Sequence, residues 1–173
     1  SAAMEAWVFA GQGAFDPGLL STRVMAYKRS DPSARRELDE CASIAAELIE
    51  GDAHAVVSGK LEACSAAVEA TPGLSQFAIH LQNVLGAYSR RSRGNVPGVL
   101  MGHSFGEIAA FGVAGCFDLP TGVRIVCRRV RALEEHAPPD GAMLAVLADR
   151  ATVVTEAALH RLDEVVIAGR NHE

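Results

Sequence analysis

The fold of this chain is indicated most clearly by Gly102-His103-Ser104-Phe105-Gly106, which has the pattern Gly-x-Ser-x-Gly. A short apolar run, Val96–Met101, precedes it, and Glu107–Gly115, with helical spacing and small residues, follows it. This context is typical of a nucleophile elbow, a sharp strand-to-helix turn that strains the backbone of its serine. We therefore expect a buried strand, an exposed Ser104 hydroxyl and helix N–H groups available to an oxyanion. The alternative is a glycine–serine turn without chemistry.

The composition bounds the size of the protein and its partners. The 173 residues are enough for one respectable core, and the formal net charge of -5 provides no basic patch, which argues against nucleic acid or an anionic membrane as a partner. No apolar run is long enough to span a bilayer, and the pattern at the start of the sequence leads us to expect no export signal. Cys41, Cys64, Cys116 and Cys127 lack metal-site spacing and occur in apolar, helix-like contexts. We expect a reduced, cytoplasmic protein without a metal.

The pattern up to Ala137 predicts alternating strands and helices. A buried strand at Ala6–Ala10 leads into a glycine-rich loop, Gly11–Ala14. Helices are then expected over residues 32–51, 56–68, 71–90, 107–115 and 119–136, with the elbow strand between the third and the fourth. This part, residues 4–137, is expected to be the α/β core.

The linker Pro138–Gly141 predicts a boundary, followed by a smaller unit over residues 138–173. Ala142–Leu147 and Glu164–Ala168 are predicted strands, and the segment between them, Ala151–Leu162, is a predicted helix. A strand–helix–strand unit of this size has little core of its own. We therefore expect it to be part of a larger domain, which would make the chain a truncated piece.

Arg129 is a second candidate functional residue, found from helical geometry. Ile125, Val126, Ala132 and Leu133 are expected to surround it on an apolar face. A guanidinium facing the core needs an anionic partner, because it does not readily lose its proton. That partner is either an internal Asp or Glu or the carboxylate of a substrate.

A serine nucleophile needs a general base, usually histidine, within hydrogen-bonding reach. None of the histidines is a convincing base. His103 is interpreted as support for the elbow, and His54 and His80 as partly exposed or hydrogen-bonded helix residues. His136, at a helix end, His160, on an exposed helix, and His172, at the terminus, complete the set.

Four motifs in order resemble one family. They are Val8–Gly13 (VFAGQG), Ser75–Ala78 (SQFA), Gly102–Glu107 (GHSFGE) and Arg129. The sequence resembles the malonyl-CoA:acyl carrier protein transacylases and the acyltransferase domains of polyketide synthases, over about residues 7–169. The resemblance implies an α/β-hydrolase-like large subdomain into which a ferredoxin-like small subdomain is inserted, beginning near Pro138.

The same resemblance implies an activity and assigns roles to residues. Ser104 would take an acyl group from acyl-CoA, which is a substrate rather than a cofactor, and pass it to the phosphopantetheine thiol of an acyl carrier protein. Gln12 and Phe105 would donate backbone N–H groups to the oxyanion. Arg129 would bind the free carboxylate of a malonyl-type unit, with Gln76 and His103 lining the substrate site.

The chain departs from the family in one respect. The catalytic histidine of the family would follow residue 173, so we expect either the N-terminal part of an acyltransferase that needs its C-terminal part, or a non-catalytic docking module. A serine esterase or thioesterase is a further alternative, because it shares the elbow but has no need of a core-facing arginine.

Overall fold

The computed structural model describes residues 4–138, 141–162 and 165–169. The chain divides into two units, Ser1–Ala137 and Pro138–Glu173. The first contains β1 (Ala6–Phe9), α1 (Pro17–Ser30), α2 (Ala34–Leu48), α3 (Ala53–Val56), α4 (Leu61–Ala70), α5 (Leu74–Ser92), β2 (Val99–Gly102), α6 (Gly106–Val113) and α7 (Leu119–His136). The second contains α8 (Arg150–Leu159).

Strands β1 and β2 pair in parallel, with Ala6 opposite Val99 and Phe9 opposite Gly102. Parallel pairing requires a crossover connection, which helices α1 to α5 provide. The parallel sheet among helices confirms the predicted α/β class, whereas the hydrolase-like arrangement of the whole subdomain remains a prediction.

The two faces of this sheet differ in burial. Side chains alternate along a strand, so Trp7 and Phe9 point into the core and are buried. Val8 and its partner Met101 lie on the opposite face and are 68% and 53% exposed. The prediction of fully buried strands is therefore wrong for this face, because the described helices cover only the other one.

Helix α5 lies at the centre of the first unit. It packs against α1, α6 and α7, while α2 packs on α7. Its buried side chains include Phe77, Leu81 and Leu85, which recur every four residues and belong to the main hydrophobic core. Because α5 packs on α7, Gln76, near the start of α5, lies beside Arg129 of α7.

Helix α1 was not predicted from the sequence, although its start carries a recognisable signal. Asp16 caps it, accepting a hydrogen bond from the Leu19 N–H at 2.9 Å, and Pro17 occupies the first turn. The predicted helix over residues 56–68 is instead two helices, α3 and α4. Gly59, with φ +80°, lies between them in a conformation that a helix does not contain.

The second unit contains the predicted helix, as α8, capped by Asp149. The predicted strand at Ala142–Leu147 is wrong, since these residues form no regular structure and Leu144 and Leu147 are fully or almost fully exposed. Residues 165–168 of the other predicted strand are irregular as well, and Glu164 lies outside the described residues. A strand needs a hydrogen-bonded partner, and none is present in the described part of this unit.

Candidate active site

Ser104 lies on the predicted strand-to-helix turn. Strand β2 ends at Gly102 and α6 begins at Gly106, so the whole reversal takes three residues. Ser104 has φ 56°, in the left-handed region that residues other than glycine adopt at a cost of roughly 1–2 kcal/mol. The Gly106 N–H donates to the His103 carbonyl at 3.0 Å, and the Glu107 N–H donates to the Ser104 carbonyl at 3.1 Å. The strained backbone expected of an elbow is therefore confirmed, with Ser104 exposed at its apex.

The two glycines of the motif are required by close backbone contacts. A methyl group on Gly102 would overlap the backbone of Gly106 and Glu107. One on Gly106 would overlap the Phe9 carbonyl and lie 2.8 Å from the Ala10 carbonyl oxygen. The elbow is thus pressed against the end of β1, and this contact brings the loop after β1 to the serine.

That loop, residues 10–16, contains the predicted oxyanion donor Gln12. A methyl group on the preceding residue, Gly11, would lie 2.6 Å from the His103 carbonyl oxygen and 3.2 Å from Ser104 Cβ. It would also lie 3.3 Å from His103 Nδ1, so the imidazole stands beside the loop. Gln12 itself is exposed, next to this contact. The structure therefore brings Ser104, His103 and the Gln12 loop together.

Arg129 and Gln76, the two predicted substrate-binding residues on the helices, contact each other on the far side of Phe105. Arg129 Nη1 donates to Gln76 Oε1 at 2.6 Å, which joins α7 to α5. The guanidinium carbon lies 5.7 Å from the ring centroid of Phe105, within the range of a cation–π contact. Phe105 directly follows Ser104 and is buried, so its ring connects the arginine to the elbow.

The environment of Arg129 differs from the prediction. Ile125 and Leu133 are 39% and 44% exposed, while the buried stripe of α7 runs through Val123, Val126 and Val130. Arg129 lies at the margin of that stripe and is half-buried. Among the described residues its hydrogen-bond partner is a neutral amide, and no Asp or Glu pairs with it. The described residues therefore provide no internal carboxylate for Arg129. A substrate carboxylate, the other predicted partner, remains a prediction.

His80 corrects a second prediction. It is 1% exposed, and neither ring nitrogen has a hydrogen-bond partner among the described residues, so it is not the exposed or satisfied residue expected. It faces α7, where a methyl group on Gly122 would lie 2.9 Å from His80 Nε2. Burial lowers the pKa of His80 from 6.5 to about 4, so the ring is neutral near pH 7.

The other histidines occupy varied positions. His54 and His160 are exposed, as predicted, and His136 is the last residue of α7, as predicted, and is exposed as well. His172 lies outside the described residues. No hydrogen bond in the described part of the chain joins a histidine ring to the Ser104 hydroxyl.

Sequence reasoning missed two residues that hold the Gln12 loop. They are Gln82 and Asn83 on α5, whose side-chain amides bond to the backbone of the loop at Ala10, Ala14 and Asp16. Their signal was a pair of amides inside the apolar pattern of α5, between Leu81 and Val84.

The cysteines are distributed as core residues with one exception. Cys41, Cys64 and Cys127 are buried, and burial raises the pKa of Cys127 to about 12. Cys116 is exposed in the turn after α6, where the prediction had placed an apolar helix-like context. In the part of the chain that the structure describes, no group of His, Cys, Asp and Glu side chains could hold a metal ion. No described helix is both long and apolar enough to cross a membrane.

A strained serine on a strand-to-helix turn, in close contact with a glycine-rich loop, is typical of α/β proteins that use a serine nucleophile. Comparison with protein families identifies the class more closely, since the family described as "Acyl transferase domain" matches residues 6–173. The chain belongs to this acyltransferase domain family, which confirms the resemblance found in the sequence.

Curated proteins similar to this chain include polyketide synthases. The Mycolicibacterium smegmatis "Mycocerosic acid synthase-like polyketide synthase" is 42% identical over 82 residues, which are 47% of this chain and 4% of that protein. The "Spectinabilin polyketide synthase system protein NorA'" of Streptomyces orinoci is 37% identical over 135 residues, covering 78% of this chain and 4% of the relative. For "5-methyl-1-naphthoate synthase" of Streptomyces sahachiroi the identity is 34% over 140 residues, covering 79% and 7%. The chain thus spans only a small part of each relative.

Proposed function

We propose that this chain is the acyl-loading part of an acyltransferase domain in polyketide synthesis. It would take a malonyl-type acyl group from CoA and pass it to the phosphopantetheine thiol of an acyl carrier protein. The family match and the similarity to polyketide synthases support the general activity. The geometry around Ser104 and Arg129 supports the choice of acyl group.

The first step is attack by the Ser104 oxygen on the thioester carbonyl carbon. A new C–O bond forms, the carbonyl electron pair moves to the oxygen, and the C–S bond breaks as that oxyanion collapses. The hydroxyl proton passes through a base to the departing CoA thiolate. In the second step the carrier thiol attacks the carbonyl carbon of the acyl-serine ester, so that a C–S bond forms and the C–O bond to Ser104 breaks. The thiol proton passes through the base to the released Ser104 oxygen.

The oxyanion of each step requires preorganised donors. The Phe105 N–H follows the nucleophile at the start of α6, and the Gln12 loop contacts the elbow from the other side. We propose these two N–H groups as the donors, because both lie at the elbow. Removal of one such donor raises the activation free energy by about 3–4 kcal/mol. The base is proposed to be a histidine on another part of the acyltransferase domain.

The observation that carries the substrate class is the position of Arg129. Its guanidinium lies over Phe105, next to the nucleophile, and its partner is the neutral amide oxygen of Gln76. A free carboxylate on the acyl group would supply the anion for this cation and accept charge-assisted hydrogen bonds from it. A simple acetyl group offers no such anion.

The test compares Ser104 acylation by malonyl-CoA and acetyl-CoA in the parent, Arg129→Ala and Arg128→Ala. Arg128 is the matched control, since it is the next arginine on α7 and is exposed. Loss of a charge-assisted contact is worth about 1.5–3 kcal/mol, so Arg129→Ala should slow malonyl transfer roughly 10- to 100-fold and leave acetyl transfer nearly unchanged. Arg128→Ala should behave as the parent.

Two results would contradict the proposal. Equal loss for both acyl groups in Arg129→Ala would make the arginine a structural residue and favour an esterase or thioesterase. Absence of any acyl-serine in the parent, even with a C-terminal part of an acyltransferase domain added, would favour a non-catalytic docking module.

A further inference from the structure

We propose that Gln82 and Asn83 are positioning residues that hold the loop of residues 10–16 in place as part of the oxyanion site. The inference rests on the proposed function, since it assigns a cause to the preorganisation that acyl transfer requires. It extends the site to side chains on α5 that lie behind the loop.

Asn83 fixes the start of the loop. Its Nδ2 donates to the Ala10 carbonyl oxygen at 2.9 Å. Ala10 follows β1 directly, and its carbonyl lies against Gly106 of the elbow. The same peptide unit therefore contacts α5 on one side and the elbow on the other, so its orientation determines how Gly11 approaches Ser104.

Gln82 fixes the end of the loop through both the nitrogen and the oxygen of its side-chain amide. Its Nε2 donates to the Ala14 carbonyl oxygen at 3.0 Å, and its Oε1 accepts from the Asp16 N–H at 3.0 Å. The side chain is 5% exposed, so rotation of the amide would leave buried polar groups unpaired. Its own backbone carbonyl accepts from Arg23 Nη1 at 2.5 Å, which ties this turn of α5 to α1.

The three residues between these attachments make no side-chain hydrogen bond among the described residues, and only Gly11 is packed against the elbow. Gly11 and Gly13 lack side chains, Gly13 has φ +90°, and Gln12 is exposed. A short glycine-rich segment of this kind is conformationally permissive, so its shape depends on its two ends. We infer that the direction of the Gln12 N–H is set by Asn83 at one end and Gln82 at the other. An oxyanion donor is effective only when it is aimed in advance.

The experiment measures single-turnover acylation of Ser104 over a range of malonyl-CoA concentrations in the parent, Asn83→Ala and Gln82→Met. A displaced loop should lower the maximal acylation rate about 10- to 100-fold and leave the half-saturating concentration nearly unchanged. A general loss of folded protein would instead lower the amplitude. Asn95→Ala is the matched control, because Asn95 Nδ2 also donates to a backbone carbonyl, that of Arg90 at 3.2 Å, away from the loop.

Amide hydrogen exchange over residues 10–16 provides the second readout and does not depend on activity. Faster exchange in Asn83→Ala and Gln82→Met, but not in Asn95→Ala, is expected together with the slower acylation. Parent-like acylation rates or parent-like exchange in both variants would overturn the inference while leaving the proposed function in place. If the parent forms no Ser104 adduct even with a C-terminal part of an acyltransferase domain added, the proposed function fails and the catalytic role of both amides fails with it.

Discussion

At the residue scale, His80 is a buried ionisable side chain within the apolar stripe of α5. The ring is fully buried between α5 and α7 without a hydrogen-bond partner among the described residues, and burial lowers its pKa to about 4. An unfolded chain would protonate this histidine near its usual pKa of 6.5. Between these two values the unfolded state binds more protons, so stability falls as the pH is lowered from about 6.5 to about 4.

We predict that His80→Leu removes this part of the acid sensitivity. One pKa unit corresponds to about 1.4 kcal/mol, so the parent should lose roughly 3 kcal/mol of unfolding free energy through His80 over that range. Urea unfolding at pH 7 and pH 4.5 measures the difference. His54→Leu is the control, since His54 is exposed on α3. Equal pH dependence in the parent and His80→Leu would show that this buried ring has no such effect.

A second prediction concerns Gln76, whose Oε1 accepts from Arg129 Nη1 at 2.6 Å. Without that acceptor the guanidinium loses its orientation over Phe105, so Gln76→Leu should reduce the preference for malonyl-CoA over acetyl-CoA. A hydrogen bond to a charged group is worth about 1.5–3 kcal/mol, so the ratio of malonyl to acetyl transfer should fall by at most about 100-fold. Competition between the two thioesters measures it, and Gln76→Glu should also lower the preference, because it supplies Arg129 with an internal carboxylate that competes with that of the substrate. An unchanged ratio in Gln76→Leu would exclude Gln76 from selection.

The sequence predicted Ser104 and its turn because glycine and serine spacing reports directly on local backbone geometry. It predicted Arg129 as a cation on α7 but not its partner, since the contact with Gln76 joins residues 53 positions apart. Gln82 and Asn83 were missed for the same reason. Their bonds to the loop span 66 to 73 positions, and a helical pattern reports only on neighbours within a few turns.

At the element scale, the start of α7 provides a test of helix capping. Asp118 Oδ1 accepts from the Thr121 N–H at 2.9 Å. Hydrogen bonds from the side chain and the backbone of Thr121 lower the pKa of the Asp118 carboxyl. Asp118→Ala should reduce the unfolding free energy by about 1 kcal/mol. Asp118→Asn keeps the accepting oxygen and should cost much less. Denaturant unfolding of the three proteins measures this, and equal loss in both variants would mean that the cap is not the cause.

Helices were easier to predict than strands for a physical reason. The core helices α2, α5 and α7 carry an apolar stripe within one continuous segment, so periodicity identifies them. Helix α1 has only three buried residues, Leu20, Ser21 and Val24, and so offers a weak stripe. The strand predicted at Ala142–Leu147 failed because an apolar run becomes a strand only where a partner strand is present.

At the scale of the whole molecule, the exposed face of the sheet should determine solution behaviour. Val8 and Met101 are cross-strand partners on this face, with Val99 beside them, and all three are exposed. Contiguous apolar surface of this kind favours association in water. We predict that the isolated chain self-associates with increasing concentration and that Val8→Ser with Met101→Ser reduces this.

Sedimentation velocity over a concentration series measures the association. Ile125→Ser is the matched control, because Ile125 is an exposed apolar residue on α7, away from the sheet. Equal association in the double variant and the parent, or an equal reduction in Ile125→Ser, would contradict a specific role for the sheet face.

The central claim is that Ser104 is an acyl-accepting nucleophile, and intact mass of the chain after incubation with malonyl-CoA tests it most directly. The parent and Ser104→Ala are compared, each alone and with a C-terminal part of an acyltransferase domain added. We expect a malonyl adduct on the parent that Ser104→Ala lacks and that a carrier-protein thiol removes. An adduct of equal yield in Ser104→Ala, or none in the parent under either condition, would contradict the account.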